Sequence, residues 1–415
     1  MNIKNLCISL FRIIFILFSQ VLFAQQTILK NSNLPILIIT TNIDSSTGLP
    51  ITIPDDQKVS ATMKLIFRPD GSRNYLTDIN NSDYLNYSGK IGIETRGSSS
   101  QELEKKPYGF KTLLEDNENN NVSLLDMPSE NDWILNALAF DPSMIRDYLS
   151  YTLATKLGNY TPRVRYVEAI VNYDYKGVYI LTEKIKIDSD RVDLKKLKTT
   201  DNETPNVTGG YIIKADKTTG GDNVAWTFPN ANGWKTDFLH DSPKTEDITN
   251  QQNIYIENIF NDLVSKTENS NSSIINGFPS IIDVPSFVDF MIMAELASNP
   301  DTYQFSTYFH KDKGGKLRAG PIWDFNLSFG NDLFIWGFDR SFNNVWQFDY
   351  ENTGPKFWKQ LYNNNTFKCY LAKRWLELTA INQTLNYTSI VNLIEEIVAL
   401  LNEKMDSRSS YMDEK

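Results

Sequence analysis

The spacing of apolar residues changes halfway along the chain, and this change constrains the fold more strongly than any other feature. In the first half, short alternating or β-branched runs are bounded by Asn, Asp, Gly and Pro, which is typical of β-strands. These runs are residues 35–40, 61–67, 90–95, 108–114, 166–171 and 177–182. In the second half, apolar residues recur at helical spacing. This order predicts an α+β fold, with an N-terminal antiparallel sheet and a more helical C-terminal part.

One major helix is predicted among the strands of the first half. It begins at Asp141 and Pro142 and ends at Gly158, because proline suits the first turn of a helix and glycine its C-terminus. Its apolar face consists of Ile145, Leu149, Leu153 and Leu157. Further helices are predicted at 254–264, 286–297, 367–378 and 388–405, and a hairpin at 303–310 and 316–323.

The length of 415 residues allows two or three domains, or one large two-lobed unit, at about 150 residues per domain. Residues 200–208 and 216–250 are rich in Thr, Asn, Asp and Gly, so we interpret them as loops or an insertion. The predicted organisation is a signal peptide at 1–24, a first lobe at 25–200, a loop-rich connection at 201–253 with a strand near 210–214, and a helical lobe at 254–415.

Residues 1–24 have the pattern of a bacterial signal peptide. Lys4 and Arg12 precede the apolar run 13–23, which ends at Ala24. After cleavage Cys369 would be the only thiol, so no internal disulfide is expected. No run of about 18 apolar residues follows, so stable membrane insertion is not expected. We therefore expect a secreted, periplasmic or cell-surface protein.

Charge and residue counts exclude several classes of function. The chain has 41 Lys and Arg against 51 Asp and Glu, with the basic residues scattered, so nucleic acid is not an expected partner. Two histidines and one remaining cysteine cannot build a common zinc site. Neither a G-x-S-x-G elbow nor a Walker A loop nor a G-x-G-x-x-G motif is present. Small molecules or proteins are the expected partners.

Two aspartates in the second half are candidates for chemistry. Asp301 follows a predicted helix and Asp324 ends a predicted strand, and the hairpin between them would return both to one edge. Paired carboxylates at such an edge suit divalent metal binding and acid–base catalysis. Asp301 could instead only open a turn, and Asp324, between two aromatic residues, could form a structural salt bridge.

A polar turn follows the strand predicted at 90–95. The sequence Arg96-Gly97-Ser98-Ser99-Ser100 offers a guanidinium, a flexible glycine and hydroxyls, which suit a phosphate group. Considered alone, the turn is a common solvent-exposed feature. Lys111 could likewise be a solvated lysine on a sheet face, and Arg146 a cation on a helix surface.

Several motifs occur together in one order, and together they resemble the spore coat protein H (CotH) family of atypical secreted protein kinases. The resemblance extends from about residue 34 to residue 330. The motifs are Arg96-Gly97-Ser98-Ser99, Lys105-Lys106-Pro107-Tyr108 with Lys111, Asp132-Trp133, Asp141-Pro142-Ser143 with Arg146-Asp147-Tyr148-Leu149, GVYILTEKI at 177–185, Arg191-Val192-Asp193, Gly209-Gly210-Tyr211, and Gly320-Pro321-Ile322-Trp323-Asp324-Phe325.

The resemblance implies a two-lobed, kinase-like fold that binds ATP between the lobes. In such a fold the 96–100 turn, with Arg96, Ser98 and Ser99, would cover the nucleotide phosphates in place of a glycine-rich loop. The other residues that the resemblance assigns to the cofactor are Lys111 on its strand, Arg146 on the counterpart of the regulatory helix, and Glu183 before the hinge. If Lys111 does not point into the cleft, Lys105, Lys106 or Lys184 would be the alternatives.

The same resemblance assigns catalysis and metal binding. Asp301 would lie in the catalytic loop, and Asp324 with Asn326 would hold Mg²⁺ or Mn²⁺, so Asp301 and Asp324 are expected to approach each other across one cleft. The family pattern has asparagine where this chain has Ser306, and aspartate where it has Asn326. Both residues still offer a neutral oxygen, but the metal site has one negative charge fewer.

The main hypothesis is therefore an exported kinase that transfers the γ-phosphoryl group of ATP to a Ser or Thr hydroxyl of an extracytoplasmic protein. The first alternative is a catalytically weak or inactive, pseudokinase-like surface binding module. The second is a carbohydrate-associated accessory protein, suggested by the export signal and eight tryptophans. Exposed aromatic platforms would favour this last alternative, and tryptophans in the core would count against it.

Overall fold

The fold is a mixed α+β arrangement, as the apolar spacing predicts. The structure is a computed structural model that describes residues 29–402 except 56 and 231, so the predicted signal peptide lies outside the described residues. The strands are β1 (Asn31–Ser32), β2 (Ile36–Thr41), β3 (Val59–Ile66), β4 (Asn74–Tyr75), β5 (Leu85–Thr95), β6 (Tyr108–Leu113), β7 (Asp132–Asn136), β8 (Val164–Val171), β9 (Asp174–Glu183), β10 (Tyr211–Ala215), β11 (Val224–Pro229), β12 (Lys235–Ser242), β13 (Thr307–Lys311) and β14 (Arg318–Ala319). The α-helices are α1 (Arg146–Lys156), α2 (Asn250–Glu268), α3 (Val284–Ala297), α4 (Phe357–Asn363), α5 (Asn365–Thr379) and α6 (Tyr387–Leu401).

Seven strands of the first half form a closed barrel in the order β2-β3-β5-β6-β7-β9-β8. The sequence predicts an antiparallel sheet, and one pairing differs, because β2 pairs with β8 in parallel and closes the barrel. Alternate residues of each strand fill the interior, among them Met63, Ile91, Phe110, Trp133 and Tyr179. Alternation predicts each strand, but it does not say which two strands meet at the seam.

A second sheet has the order β11-β12-β10-β13-β14. Two of its strands, β11 and β12, lie in the segment that we interpreted as loops. Trp226 and Phe228 on β11 and Phe238 on β12 are buried, and the ring of Phe238 packs against each of the other two at a centroid distance of 5.5 Å. The flanking Asn, Gly and Asp residues made these short alternating runs hard to recognise.

The helices differ from the predicted bounds mainly at their ends. Helix α1 begins at Arg146 rather than at Asp141, because the Asp141 carboxylate accepts the backbone N–H groups of Ser143 and Arg146 and holds a turn before the helix. The predicted helix 367–378 is the second of two helices. Between them, the Asn364 side chain accepts the N–H groups of Thr366 and Phe367 and caps α5.

The barrel and the helical part share a hydrophobic core outside the barrel interior. This second core joins residues of α1 and the outer face of β9 to α2, α3 and the second sheet. Beside it, the ends of β5 and β10, the outer face of β7 and the loop after β14 surround a cleft. Within residues 29–402, apart from 56 and 231, no helix is both long and apolar enough to cross a membrane.

We expect Gly210→Ala to destabilise the fold, because Gly210 has φ +87° and an added Cβ would lie 1.8 Å from the carbonyl oxygen of Lys195. Gly314→Ala is the matched control, since Gly314 has φ +68° but nothing within 4 Å of its Cβ position. The control should cost about 1–2 kcal/mol of unfolding free energy, and Gly210→Ala about 1–3 kcal/mol more. Urea unfolding measures both. Equal costs for the two variants would contradict the crowding argument.

Candidate functional site

The cleft has an empty volume of about 1200 Å³, including the part open to solvent. Of the residues singled out from the sequence, the cleft is lined by Arg96, Ser98, Ser99, Asp301, Ser306, Asp324 and Asn326. They come from three separate parts of the chain, namely the turn after β5, the loop between α3 and β13, and the loop after β14. The structure therefore brings most of the predicted site residues to one cavity.

The turn after β5 forms one wall of the cleft. The Arg96 N–H donates to the carbonyl of Pro107 at 3.1 Å, and the guanidinium lies 5.7 Å from the centre of the Trp323 ring. Gly97 has φ +105°, and a Cβ there would lie 2.2 Å from the Ser100 hydroxyl, so the tight turn requires glycine. The turn thus presents a cation and serine hydroxyls to the cavity, a chemistry that suits phosphate oxygens.

Asp324 faces the turn from the loop after β14. It has φ +60°, an uncommon conformation for a residue with a side chain. Burial raises the pKa of Asp324 to about 6, and the nearby carboxylates of Asp301 and Asp216 add to the rise. Among the described residues, no side chain donates a hydrogen bond to this carboxylate. Asp324 is therefore a recessed acid that lacks a protein counter-ion in direct contact.

Helix α1 holds the Asp324 loop through side chains on one face. The Tyr151 hydroxyl accepts the N–H of Asp324 at 3.1 Å, and the Asp147 carboxylate accepts the N–H of Phe325 at 2.7 Å. The amide of Asn136 donates to the other oxygen of Asp147 at 3.0 Å. Burial raises the pKa of Asp147 to about 8, with a further contribution from Asp324. We call Asp147 and Tyr151 the α1 clamp.

The carboxylate of Asp301 is contacted by three side chains. Arg340 donates to it at 2.8 Å and Asn352 at 3.2 Å, while the ammonium of Lys217 lies 4.0 Å away. Arg340 is itself held by Asp332 at 2.7 Å. Asp301 is thus neutralised by a cation that a second, buried carboxylate keeps in place.

Asp216 also lines the cleft, and the sequence analysis did not single it out. It follows β10, accepts the N–H groups of Lys217 at 2.9 Å and Ser306 at 3.4 Å, and lies 3.9 Å from the Lys214 ammonium. Burial raises the pKa of Asp216. The only signal in the sequence was a Lys-Ala-Asp-Lys run after a predicted strand, which is too common to indicate a site.

Three residues that the resemblance assigns to the cofactor do not line the cleft. Lys111 lies on the outer face of the barrel, 3.7 Å from Asp132. Arg146 bonds to Asp141 and donates to the carbonyl of Ser328 at 2.8 Å. The Glu183 side chain is fully buried and accepts from the N–H of Arg163 at 3.0 Å and the hydroxyl of Tyr160 at 3.2 Å. A cofactor contact at these positions remains a prediction, and at Glu183 it would have to involve the backbone.

The alternative lysines differ in their surroundings. Lys105 donates to the carbonyl of Val178 and Lys106 to that of Gln101, so a backbone carbonyl engages each of them. Burial lowers the pKa of Lys184, and among the charges that act on it are Asp132 and Arg96. Lys184 therefore lies in the same electrostatic environment as the turn after β5.

The oxygen atoms that line the cleft fit a magnesium ion that takes its other ligands from a nucleotide. In the part of the chain that the structure describes, no three His, Cys, Asp or Glu side chains form a ready-made metal site. Mg²⁺ usually takes only one or two carboxylates from a protein and completes its shell with phosphate oxygens and water. The carboxylate of Asp324, to which no described side chain donates a hydrogen bond, would be one protein ligand. The amide oxygen of Asn326 would be the other.

The family comparison agrees with these features. The family described as CotH kinase protein matches residues 93–414, which begin in β5 and include every element of the cleft. Its description identifies it as a family of kinases. The chain belongs to the CotH kinase family. A search of curated proteins finds no match to the chain.

Without nucleotide or metal, we expect Asp324→Asn to stabilise the protein at pH 7.5 by about 2–3 kcal/mol. The folded-state pKa of Asp324, about 6, lies above the ordinary value near 4, so the folded protein binds this proton more tightly than the unfolded chain. The free energy of unfolding of the wild type therefore falls as the pH rises from about 4 to about 6. The asparagine variant does not show this fall, because its side chain does not ionise.

Urea unfolding at pH 4, 5 and 7.5 checks this expectation, and the advantage of Asp324→Asn should vanish at pH 4. The control is Asp126→Asn, because Asp126 also has φ +60° but is exposed. A stabilisation of equal size in the control would assign the effect to the backbone conformation. A loss of stability in Asp324→Asn would show that the carboxylate has a stabilising partner.

Proposed function

We propose that this chain is an exported, ATP- and Mg²⁺-dependent protein kinase that phosphorylates Ser or Thr residues of an extracytoplasmic protein. The barrel and the helical part would be its two lobes, with the nucleotide in the cleft between them. The observation that carries the proposal is the shared cavity of Arg96, Asp301 and Asp324, three residues far apart in the chain. Mn²⁺ could replace Mg²⁺ in such an oxygen-rich site.

Six residues of the cleft have a definite task in this proposal. Arg96, Ser98 and Ser99 bind phosphate oxygens and hold the terminal phosphate in line with the acceptor. Asp301 accepts the hydrogen bond of the acceptor hydroxyl and takes its proton as the acceptor oxygen bonds to the γ-phosphorus and the bond from that phosphorus to the leaving ADP oxygen breaks. Asp324 and Asn326 would hold Mg²⁺, which neutralises charge on the phosphate oxygens. The reaction needs no further cofactor.

Export is part of the proposal and depends on residues 1–24 alone. Their charge and apolar pattern supports cleavage and release to the periplasm, the cell surface or the medium. In this setting the partners are ATP and an extracytoplasmic protein, with neither nucleic acid nor stable membrane insertion.

A second candidate function is a binding module with weak or no catalysis, and one observation favours it. Asp301 is held by Arg340, Asn352 and Lys217, so its oxygens are less available to an acceptor hydroxyl. Ser306 and Asn326 in place of the family residues point in the same direction. The tryptophans neither favour nor exclude a carbohydrate-associated protein, because some are buried and others exposed. Those buried are Trp133, Trp226 and Trp358, and those exposed are Trp234, Trp336, Trp346 and Trp375.

We expect three substitutions in the cleft to separate these functions. Asp324→Ala should abolish both phosphate transfer and metal-dependent ATP binding, whereas Asp301→Ala should stop transfer and leave most ATP binding, because a base does not hold the nucleotide. Asn326→Asp should tighten Mg²⁺ binding by about tenfold, since one more carboxylate attracts a divalent ion.

The measurements are thermal-shift titrations with ATP and Mg²⁺ and transfer of labelled phosphate from ATP, using residues 25–415. If wild type gains no stability from nucleotide and metal, and Asn326→Asp does not restore the gain, the kinase proposal fails. Nucleotide binding without transfer in both wild type and Asn326→Asp would favour the binding module.

A further expectation concerns the α1 clamp. Tyr151→Phe removes the acceptor of the Asp324 N–H, so this loop should lose its fixed position and Mg²⁺-dependent ATP binding should weaken about five- to tenfold. Tyr166→Phe is the matched control, because Tyr166 is equally buried and donates at 2.7 Å to the carbonyl of Met144, away from the Asp324 loop.

Both tyrosine variants should lose about 1–2 kcal/mol of unfolding free energy, but only Tyr151→Phe should change the Mg²⁺ titration. Isothermal titration at fixed ATP and varied Mg²⁺ distinguishes them. The same Mg²⁺ dependence in the two variants would mean that the clamp is a general structural contact.

A further inference from the structure

An exposed apolar surface lies next to the catalytic side of the cleft, in the segment that follows the Asp324 loop. Its large side chains are between 38% and 67% exposed. We call this surface the aromatic shelf, and its members are Phe334, Ile335, Trp336, Phe338, Phe342 and Trp346. These are six large exposed apolar residues within thirteen positions of the chain, and such a concentration, unlike single scattered apolar residues, marks an interaction site.

The shelf is held in place rather than loosely attached. At its start, Asn331 donates to the carbonyls of Phe140 and Asn326, both at 2.8 Å, and Trp336 packs edge-on against Phe140 at 5.1 Å. At its end, the N–H of Gln347 donates to Glu295 at 2.8 Å. A fixed apolar surface has little conformational entropy to lose when a partner binds.

The shelf is also continuous with the cleft. Leu333, immediately before it, lines the cavity, and Arg340, within it, donates to Asp301. The length of one arginine side chain therefore separates the shelf from the proposed acceptor position. An extended polypeptide advances about 3.3 Å per residue, so residues about two to five positions from the acceptor would reach the shelf.

We propose that the aromatic shelf docks the substrate polypeptide, and that the substrate carries apolar side chains about two to five residues from its Ser or Thr acceptor. This inference rests on the proposed kinase function and adds the class of substrate to it. Substrate apolar side chains bury themselves against the shelf, and this burial brings the hydroxyl to Asp301.

Other occupants fit the shelf less well. Ile335 and the three phenylalanines offer no hydrogen-bonding group for the hydroxyls of a sugar, and Trp336 and Trp346 offer only one indole N–H each. The charged residues within the segment are Asp339 and Arg340, and Arg340 is already engaged by Asp332, so the segment lacks the cluster of free cations that attracts anionic lipid. A glycan, a lipid surface and a second copy of this chain are therefore outcomes that the test must detect.

The test compares F334S/I335S with I274S/I275S, a matched control in which two adjacent isoleucines, 81% and 85% exposed, lie in a loop after α2. The probes are two synthetic peptides with a central serine and either Leu and Phe or Asn and Gln at the flanking positions. Fluorescence anisotropy without ATP measures binding, and labelled ATP with Mg²⁺ measures transfer. Phe342→Ser provides the same comparison if F334S/I335S melts at a lower temperature than wild type.

Wild type and I274S/I275S should bind the apolar peptide at least tenfold more tightly than the polar one, and F334S/I335S should lose this preference. The same loss without any phosphate transfer in wild type would support the docking inference while the kinase function fails. Transfer with equal use of both peptides, or with no effect of F334S/I335S, would overturn the inference and leave the kinase function intact. The inference is likewise overturned if the shelf variant converts a dimer to a monomer, or if only phosphatidylglycerol vesicles or a soluble β-glucan bind the shelf.

Discussion

The carboxylate of Asp147 is buried inside the protein and accepts the backbone N–H of Phe325 at 2.7 Å. The position of Asp324 depends on this contact and on the Tyr151 hydroxyl, because Asp324 has a backbone conformation that costs energy when nothing holds it. Since both contacts come from one helix, the position of α1 determines where the proposed metal ligand lies. A displacement of α1 would therefore move Asp324 away from the turn that carries Arg96.

The cleft has more acid than its direct contacts neutralise. Asp301 has Arg340, and Asp216 has Lys214 within 4 Å, but Asp324 has no cation in contact among the described residues. Repulsion among these carboxylates lowers the stability of the protein when the cleft is empty. A bound divalent ion would replace this repulsion by attraction, so the same carboxylates favour the binding of such an ion. The same acids would repel the phosphates of a nucleotide without metal, so ATP and Mg²⁺ are expected to bind together.

The sequence allowed the prediction of elements whose determinants are local. Alternation located six of the barrel strands, and the helical spacing of apolar residues located α3. The parallel seam between β2 and β8 joins residues more than a hundred positions apart, and no local pattern encodes such a pairing. Within the site, seven residues singled out from the sequence line the cleft, among them Arg96, Asp301 and Asp324. Tyr151, Asp216 and Arg340 were missed because their roles come only from tertiary contacts.

The closed barrel also limits how another polypeptide can join the molecule. Each of its seven strands is paired on both sides, so none offers a row of free backbone groups to an incoming strand. Of the five strands of the second sheet, the outermost are β11, six residues long, and β14, only two. Recognition of a polypeptide by the barrel must therefore depend on side chains rather than on the addition of a strand, and β11 is the longer of the two edges that the second sheet leaves open.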